Sequence, residues 1–287
     1  VNATPAARRL AREGEIDLLG IRGSGPGGRI QAADVLAYQP PALAMAPVHP
    51  EPAPTPTEAE IIPLTGMRRT IAERMLASYQ SIPHITFTAR VDMTHFNAVR
   101  ADLNAHAEKQ GTGRISATAL LVKLVAATLT RHPSLNSSLR GEEIHVHRAV
   151  NIGVAVALRA GLIVPVVRGA DRKGIAAIAA EVDDLAERAR QSRLLPSDVT
   201  EGTFTISNLG PFGVEQFTAL INPPQSGILA VGSTQMEALP DAAGTIRAVP
   251  VMRITLSADH RIVDGAVAAY FISDLKSVLE NPALALW

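Results

Sequence analysis

The sequence predicts an α/β protein in which helices cover a mixed sheet. Two observations lead to this prediction. Short stretches of alternating or continuous apolar residues, typical of strands, recur between longer stretches with helical periodicity. Apolar residues make up 47% of the 287 residues, which is enough for a sizeable core. Because helices and strands alternate along the chain, we expect the helices to pack on the faces of one sheet.

Composition divides the chain into three zones. Residues 1–38 predict a small all-α module, residues 39–60 a linker rich in proline and alanine, and residues 61–287 the α/β domain. The linker cannot build a core, and we expect a semi-extended tether that reaches about 60 Å when fully stretched. A module as small as the first is marginal without disulfides or metal, and such modules usually hold a partner.

The small module predicts two short helices around a glycine-rich loop. The first helix is expected over residues 3–13, because Thr4 can cap it, Pro5 suits the first turn, and an apolar stripe follows, made of Ala6, Leu10 and Ala11. The second helix is expected over residues 29–38. The intervening GxGxxG pattern at 23–28 follows no strand, and its module is too small for a dinucleotide fold, so it predicts a tight loop only.

The elements of the large zone follow from periodicity. Helices are predicted at 69–80, 94–110, 116–131, 175–193 and 265–280, and strands at 84–92, 151–158, 162–167, 203–208, 228–232 and 251–257. The first strand alternates, so that Ile85, Phe87, Ala89 and Val91 share one face. The helix at 116–131 is apolar over most of its surface, which indicates burial.

Charge and cysteine content exclude several classes of protein. The formal net charge is zero, which argues against nucleic acid or an anionic membrane as the main partner. The sequence has no cysteine, so disulfides, zinc–thiolate sites and a cysteine acyl-enzyme are excluded, and a reducing compartment fits. No apolar run approaches about 18 residues, and the start carries no secretory signal, so we expect no membrane span.

The segment SADHRIVDG at 257–265 is the strongest chemical signal. His260 follows a predicted strand and lies four residues before Asp264, and Gly265 permits a tight turn into the next helix. A histidine held there can act as a general base beside a fixed carboxylate. Two other interpretations stay open, a helical i,i+4 surface pair and half of a metal site.

Two further patterns carry weaker signals. The strand in GTFTISNLG at 202–210 ends near Ser207, whose hydroxyl could donate to an oxyanion or could simply cap the turn. In the small module Arg8, Arg9 and Arg12 lie close together on a helix, either as a solvated face or as a patch for an acidic protein surface.

Together these segments resemble the dihydrolipoamide acyltransferases, the core subunits of 2-oxoacid dehydrogenase complexes. The stretches TPAARRLARE at 4–13 and GSGPGGRI at 23–30 are similar to the peripheral-subunit-binding domain of that family. Six stretches are similar to its chloramphenicol-acetyltransferase-like catalytic domain: LTGMRRTIAERM at 64–75, IPH at 82–84, GLIVP at 161–165, GTFTISNLG at 202–210, NPPQ at 222–225 and DHRIVDG at 259–265.

The resemblance implies specific roles. His260 would take the proton of the attacking thiol, Ser207 would donate to the tetrahedral oxyanion, and Asp264 would be structural. We expect Asp264 to pair with an arginine, and favour Arg68 over Arg69. The basic residues of the small module would bind dihydrolipoamide dehydrogenase or the decarboxylase component: Arg8, Arg9, Arg12 and Arg29.

The resemblance also implies substrates and assembly. Coenzyme A and dihydrolipoamide would exchange an acyl group directly, acetyl or branched-chain, without a metal. The lipoyl group would be carried on a domain absent from this sequence or on another protein. Chains would form trimers with the active site between subunits, and then larger shells. The apolar tail at 284–287 would dock between trimers or fray. The location would be bacterial cytoplasm or the mitochondrial matrix.

Two alternatives to this function remain. One is a non-catalytic scaffold that recruits dihydrolipoamide dehydrogenase; such paralogues typically lose the histidine that stands here as His260. The other is a chloramphenicol-acetyltransferase-like or condensation-type enzyme with the same HxxxDG pattern, against which the small module and the tether argue.

Overall fold

A computed structural model describes residues 1–39, 59–158, 161–241 and 243–286, with the side chain of Leu286 left out. The chain divides into two compact units, Val1–Ile62 and Pro63–Trp287. Nearly all of the expected linker and the end of the apolar tail lie outside the described residues. Domain boundaries at 38 and 60 therefore stay a prediction.

The small unit contains two helices, α1 at Pro5–Glu13 and α2 at Ala32–Ala37, with a 3₁₀ turn at Leu18–Gly20. Thr4 caps α1 as predicted, its Oγ1 accepting from the amide of Ala7 at 3.3 Å. The predicted stripe was partly wrong, because Ala6 is exposed and Ala7 is buried in its place. The small core consists of Ala3, Ala7, Ala11, Ile30 and Val35.

The second helix begins three residues later than predicted because the chain before it is extended. The amide of Ile30 donates to the carbonyl of Asn2 at 2.9 Å, and the Ile30 carbonyl accepts from Thr4 at 2.9 Å. The loop before it is the tight turn that the glycines predict. Asp34 closes this loop, because its carboxylate accepts from the amides of Gln31 and Ser24, and these hydrogen bonds lower the pKa of Asp34.

The large unit alternates helices and strands. Its helices are α3 at Gly66–Ser81, α4 at Thr94–Lys109, α5 at Ala117–Leu129, α6 at Ile175–Arg190 and α7 at Gly265–Glu280. Its strands are β1 at His84–Asp92, β2 at Ser137–Arg140, β3 at Glu143–Val146, β4 at Ile152–Val154, β5 at Val156–Leu158, β6 at Gly161–Ile163, β7 at Val166–Val167, β8 at Phe204–Asn208, β9 at Gly227–Pro240 and β10 at Ile246–Asp259.

Six strands form the main sheet in the order β1-β10-β9-β8-β4-β7. The pairs β1–β10, β10–β9 and β4–β7 are antiparallel, whereas β9–β8 and β8–β4 are parallel. The sheet is therefore mixed, and the predicted α/β class is confirmed. Two small hairpins, β2–β3 and β5–β6, stand apart from this sheet.

Four predicted strands differ from the structure, and one hairpin was not predicted. The segments predicted at 151–158 and 162–167 are each broken in two, because β4 and β7 join the main sheet while β5 and β6 pair with each other. Strands β9 and β10 run 14 residues each, longer than predicted, since their hairpin extends into solvent where apolar periodicity fades. The hairpin β2–β3 was missed because its second strand is exposed throughout.

The two faces of the main sheet have different covers. Helices α4 to α7 pack on one face, where the core includes Phe96, Phe204 and Phe271. The opposite face of β1, β10 and β9 lies under the segment 213–226. This segment approaches so closely that a Cβ on Gly232 would lie 1.9 Å from the Glu215 carbonyl oxygen. The Ser78 hydroxyl of α3 secures it by donating to the Ile221 carbonyl at 2.6 Å.

Candidate active site

His260 is exposed directly after the end of β10, on a backbone fixed from two sides. Its amide donates to the carbonyl of Pro83 at 2.9 Å, and the preceding amide of Asp259 donates to Ser226 at 2.9 Å. The imidazole makes no hydrogen bond or ion pair with any other residue that the structure describes. The fold thus presents an imidazole with both nitrogens available on a rigid support.

The turn around His260 is closed by an ion pair between its two neighbours. The carboxylate of Asp259, with 2% of the side chain exposed, accepts from Arg261 Nη2 at 2.7 Å, Nε at 2.9 Å and the backbone amide at 3.0 Å. The Asp259 carbonyl accepts from the amides of Ile262 at 3.0 Å and Val263 at 2.9 Å. Hydrogen bonds to Asp259 raise the pKa of the Arg261 guanidinium.

Asp264 lies at the N-cap of α7, where its carbonyl accepts from Ala268 at 3.0 Å and its side chain is exposed. Since α7 begins at Gly265, His260 and Asp264 do not share a helix, and the helical i,i+4 interpretation is wrong. Among the described residues no ion pair joins Asp264 to Arg68, which lies on α3, so this pairing stays a prediction.

Ser207 lies on β8 and faces away from the helices. Its neighbours Phe204 and Ile206 belong to the helix-side core, so alternation places Ser207 on the opposite face, with only 8% of the residue exposed. Thr205 on the same face donates to Gln225 Oε1 at 2.6 Å. The Ser207 hydroxyl has no hydrogen-bond partner in the described part of the chain and can donate to a ligand.

Sheet register separates Ser207 from His260. Ser207 pairs with Ala230 on β9, and Ala230 pairs with Thr255 on β10, five residues before His260. At about 3.3 Å per residue and about 4.8 Å between strands, the two Cα atoms lie about 19 Å apart. The two side chains therefore cannot act on one substrate atom within a single chain.

A cavity of about 280 Å³ opens beside the end of β8. Its lining includes Phe96, Leu121, Asn208 and the half-buried Arg100, which makes no ion pair in the described regions. Asn208 is fixed by its Nδ2 donating to Thr118 Oγ1 at 3.2 Å. The sequence analysis did not single out Arg100. Only the structure marks it, as a cation in the lining of a largely apolar cavity.

His84 links β1 to the covering segment. Its Nδ1 lies 2.8 Å from the Ile82 carbonyl, and its Nε2 lies 3.1 Å from the Ile221 amide. Because a carbonyl only accepts and an amide only donates, the ring must be neutral with the proton on Nδ1. His84 also pairs across the strands with Asp259, next to His260. The IPH motif indicated this residue, but not its role.

In the small unit Arg8, Arg9 and Arg12 line a surface cavity of about 700 Å³ on α1. All three are exposed, and Arg9 lies 3.8 Å from Glu13. Arg29 is also exposed but does not line this cavity. The structure thus brings together three of the four basic residues that the resemblance singled out.

The described residues lack two kinds of feature. None of their helices is long and apolar enough to cross a membrane. No group of three or more His, Cys, Asp or Glu side chains in the same residues is placed to hold a metal ion. His260 and Asp264 consequently do not form part of a recognisable metal cluster there.

Comparison with known families identifies the class of protein. The family described as 2-oxoacid dehydrogenases acyltransferase (catalytic domain) matches residues 56–287, and the e3 binding domain matches residues 1–36. The chain therefore belongs to the 2-oxoacid dehydrogenase acyltransferase family.

Individual relatives are acetyltransferase components. The dihydrolipoyllysine-residue acetyltransferase component of the mitochondrial pyruvate dehydrogenase complex of Schizosaccharomyces pombe is 42% identical, over 98% of this chain and 61% of the relative. The corresponding Rickettsia felis component is 38% identical, over 99% of this chain and 68% of the relative. The chain spans 61% and 56% of the S. pombe and Caenorhabditis elegans relatives.

Solved structures agree with this family. The cubic core of a pyruvate dehydrogenase multienzyme complex superposes with a TM-score of 0.77 and 33% identity, covering 85% of this chain and 100% of that chain. The dihydrolipoamide acetyltransferase of Azotobacter vinelandii gives a TM-score of 0.76 and 34% identity, covering 80% of this chain and 95% of that chain.

Proposed function

We propose that this chain is the acyltransferase core component of a 2-oxoacid dehydrogenase complex. It transfers an acyl group between a dihydrolipoamide thiol and coenzyme A. The observation that carries the proposal is the exposed imidazole of His260, held without an internal partner on a rigid turn at the end of a buried strand. The acyl group is acetyl, as the names of the relatives from S. pombe and R. felis support.

His260 supplies the base. A free thiol has a pKa of about 8.5, so most of it is protonated at neutral pH. As the sulfur attacks the thioester carbonyl, the imidazole takes the thiol proton and a new sulfur–carbon bond forms. When the tetrahedral intermediate collapses, the other sulfur–carbon bond breaks, and the imidazolium returns the proton to the departing thiolate. No acyl-enzyme is needed, which agrees with a chain that has no cysteine.

Ser207 supplies the oxyanion donor. The attack places negative charge on the carbonyl oxygen, and a positioned hydroxyl stabilises it more than the neutral ground state. Because Ser207 and His260 of one chain lie about 19 Å apart, each site combines His260 of one copy with Ser207 of another. Self-association into trimers and larger shells, as in the cubic core that this chain resembles, meets this need.

Spacing in a relative supports the three assignments. The A. vinelandii enzyme was studied for the role in its catalytic mechanism of a serine 52 positions before a histidine and an asparagine 4 positions after it. Here Ser207 lies 53 positions before His260, and Asp264 lies 4 positions after it. That relative carries an uncharged residue at the place of Asp264. A structural role for the Asp264 carboxylate, with Arg68 as its partner, is our own proposal.

The cavity beside β8 is the proposed entry for part of coenzyme A. The pantetheine arm of coenzyme A suits apolar walls that include Phe96 and Leu121, and the guanidinium of Arg100 suits a phosphate. Asn208 at the same wall directly follows Ser207, whose side chain lies on the opposite face of β8. Dihydrolipoamide approaches from the side of His260, its lipoyl group borne by a further domain or another protein.

The small unit recruits a peripheral subunit, dihydrolipoamide dehydrogenase or the decarboxylase component. We expect Arg8→Gln/Arg9→Gln to weaken binding of dihydrolipoamide dehydrogenase about 100-fold, because close charge pairs across an interface carry coupling energies on the order of several kcal/mol. Surface plasmon resonance on the whole chain measures it, with Arg22→Gln, an exposed arginine outside the α1 cavity, as the matched control. Unchanged affinity would contradict the assignment of α1.

An acyl-transfer assay tests the function itself. The purified chain, acetyl-CoA and free dihydrolipoamide are followed at the thioester absorbance, with isobutyryl-CoA and succinyl-CoA alongside. We expect transfer, with acetyl preferred by about tenfold or more, since a few methylene groups are worth 1–3 kcal/mol each in a fitted site. A folded, multimeric chain that transfers no acyl group would indicate a scaffold that recruits the dehydrogenase.

The proposed location is the bacterial cytoplasm or the mitochondrial matrix.

A further inference from the structure

Asp259 and Arg261, the two residues that flank His260, form an ion pair with more contacts than are needed to make the turn. The backbone hydrogen bonds of Asp259 are enough to end strand β10, so the contacts of its side chain are additional. Here the Asp259 carboxylate accepts from the backbone and from two nitrogens of the Arg261 guanidinium, and is almost fully buried. Such a planar, forked contact is the strong form of an ion pair.

We propose that Asp259 and Arg261 are positioning residues for His260, which fix the direction of its imidazole and neutralise the nearest buried carboxylate. The inference deepens the proposed acyl transfer and rests on it. The imidazole has no hydrogen-bond partner of its own among the described residues. Its Cα position and the direction of its Cα–Cβ bond are set by the backbone of the turn, and this pair ties that turn together from residue 259 to residue 261.

The charge of the pair matters because of where it lies. A bare carboxylate one residue from an imidazole favours the protonated ring, and a bare guanidinium favours the neutral ring. With both charges present and in contact, the two effects oppose each other, so neither charge acts alone on the imidazole. A general base must be neutral to accept a proton.

Other titratable groups around the turn are few. On β1, His84 lies across the strands from Asp259, and at the start of α7 the carboxylate of Asp264 is exposed. The segment 222–226, whose Ser226 carbonyl accepts from the Asp259 amide, has no titratable side chain. These groups stay unchanged in the variants below, so a shift in titration reports the ion pair.

Three variants separate charge from geometry. We expect Arg261→Gln to move the acid limb of the kcat/KM profile about one pH unit upward, and Asp259→Asn to move it about one unit downward. The double variant restores the position of the limb but not the rate. In all three, kcat falls about tenfold or more while KM for coenzyme A changes less than about twofold, because only the base is misplaced.

A second measurement does not depend on catalysis. Diethyl pyrocarbonate modifies neutral imidazoles, and peptide mass mapping gives the rate at His260 over a range of pH in the whole assembled chain. We expect the midpoint of that rate to move in opposite directions in the two single variants. If the wild type transfers no acyl group but these midpoints move, the proposed function fails and the ion-pair screening stands.

The conservative variant Arg261→Lys tests the proposal if the other variants fold poorly. It keeps the positive charge and loses the fork, so we expect the acid limb to stay in place while kcat falls about tenfold. Midpoints that do not move in Arg261→Gln and Asp259→Asn would overturn the proposal, whatever happens to kcat, because a merely structural turn would lower activity without shifting the titration.

Discussion

Replacing His260 by alanine lowers kcat about 1,000-fold, within the range that a lost general base produces. Of the titratable side chains described close to this turn, the ring nitrogens of His84 are both occupied by hydrogen bonds, and Asp264 lies at the start of α7, so neither replaces the imidazole. The acyl-transfer assay with acetyl-CoA and dihydrolipoamide measures the effect. Since His260 is exposed and its ring has no internal partner in the described chain, the substitution leaves the fold intact.

The matched control is His106→Ala. His106 is an exposed histidine on α4, and we expect its loss to change kcat by less than about twofold, as is usual for a surface substitution away from a site. Thermal unfolding of the three proteins shows that they fold alike. Activity of His260→Ala within about threefold of the wild type would mean that the thiol loses its proton without this imidazole, and the catalytic assignment would fail.

Much of the fold was predictable because local patterns decide it. Strand β1 and helix α7 occur at the predicted bounds, since one alternates cleanly and the other follows a clear turn at Asp264. The short hairpin β2–β3 could not be predicted in this way. Its strands are polar or exposed, and they are defined by pairing with each other rather than by apolar periodicity.

The site was predictable in its parts and not in its geometry. The order of residues gives His260 after a strand and Ser207 within one, but not that β9 lies between β8 and β10. That order of strands is a property of the tertiary structure, and it separates the side chains of His260 and Ser207. The Asp259–Arg261 contact was missed for a related reason. Residues two apart do not face each other on a helix, and the tight turn after β10 brings these two side chains into contact.

An assembly that contains two inactive variants recovers activity. We expect His260→Ala and Ser207→Ala each to be severely impaired, the second by about 100-fold or more through loss of an oxyanion donor. If each site joins His260 of one copy to Ser207 of the next in a closed ring, random mixing leaves about one quarter of the sites with both side chains. Co-expression with two different tags and two-step affinity purification yields the mixed assemblies, and kcat per chain measures the recovery.

The distance within one chain is what makes this experiment decisive. With about 19 Å between the two Cα atoms, a site inside one chain would need a large rearrangement of the central sheet, whose strands are among the most buried elements of the fold. A mixture of His260→Ala with the double variant His260→Ala/Ser207→Ala is the control, because no pairing of its chains restores the base. Recovery to about one quarter only in the first mixture follows from sites shared between copies. Activity no higher than that of Ser207→Ala alone would place both side chains in one chain and contradict the shared site.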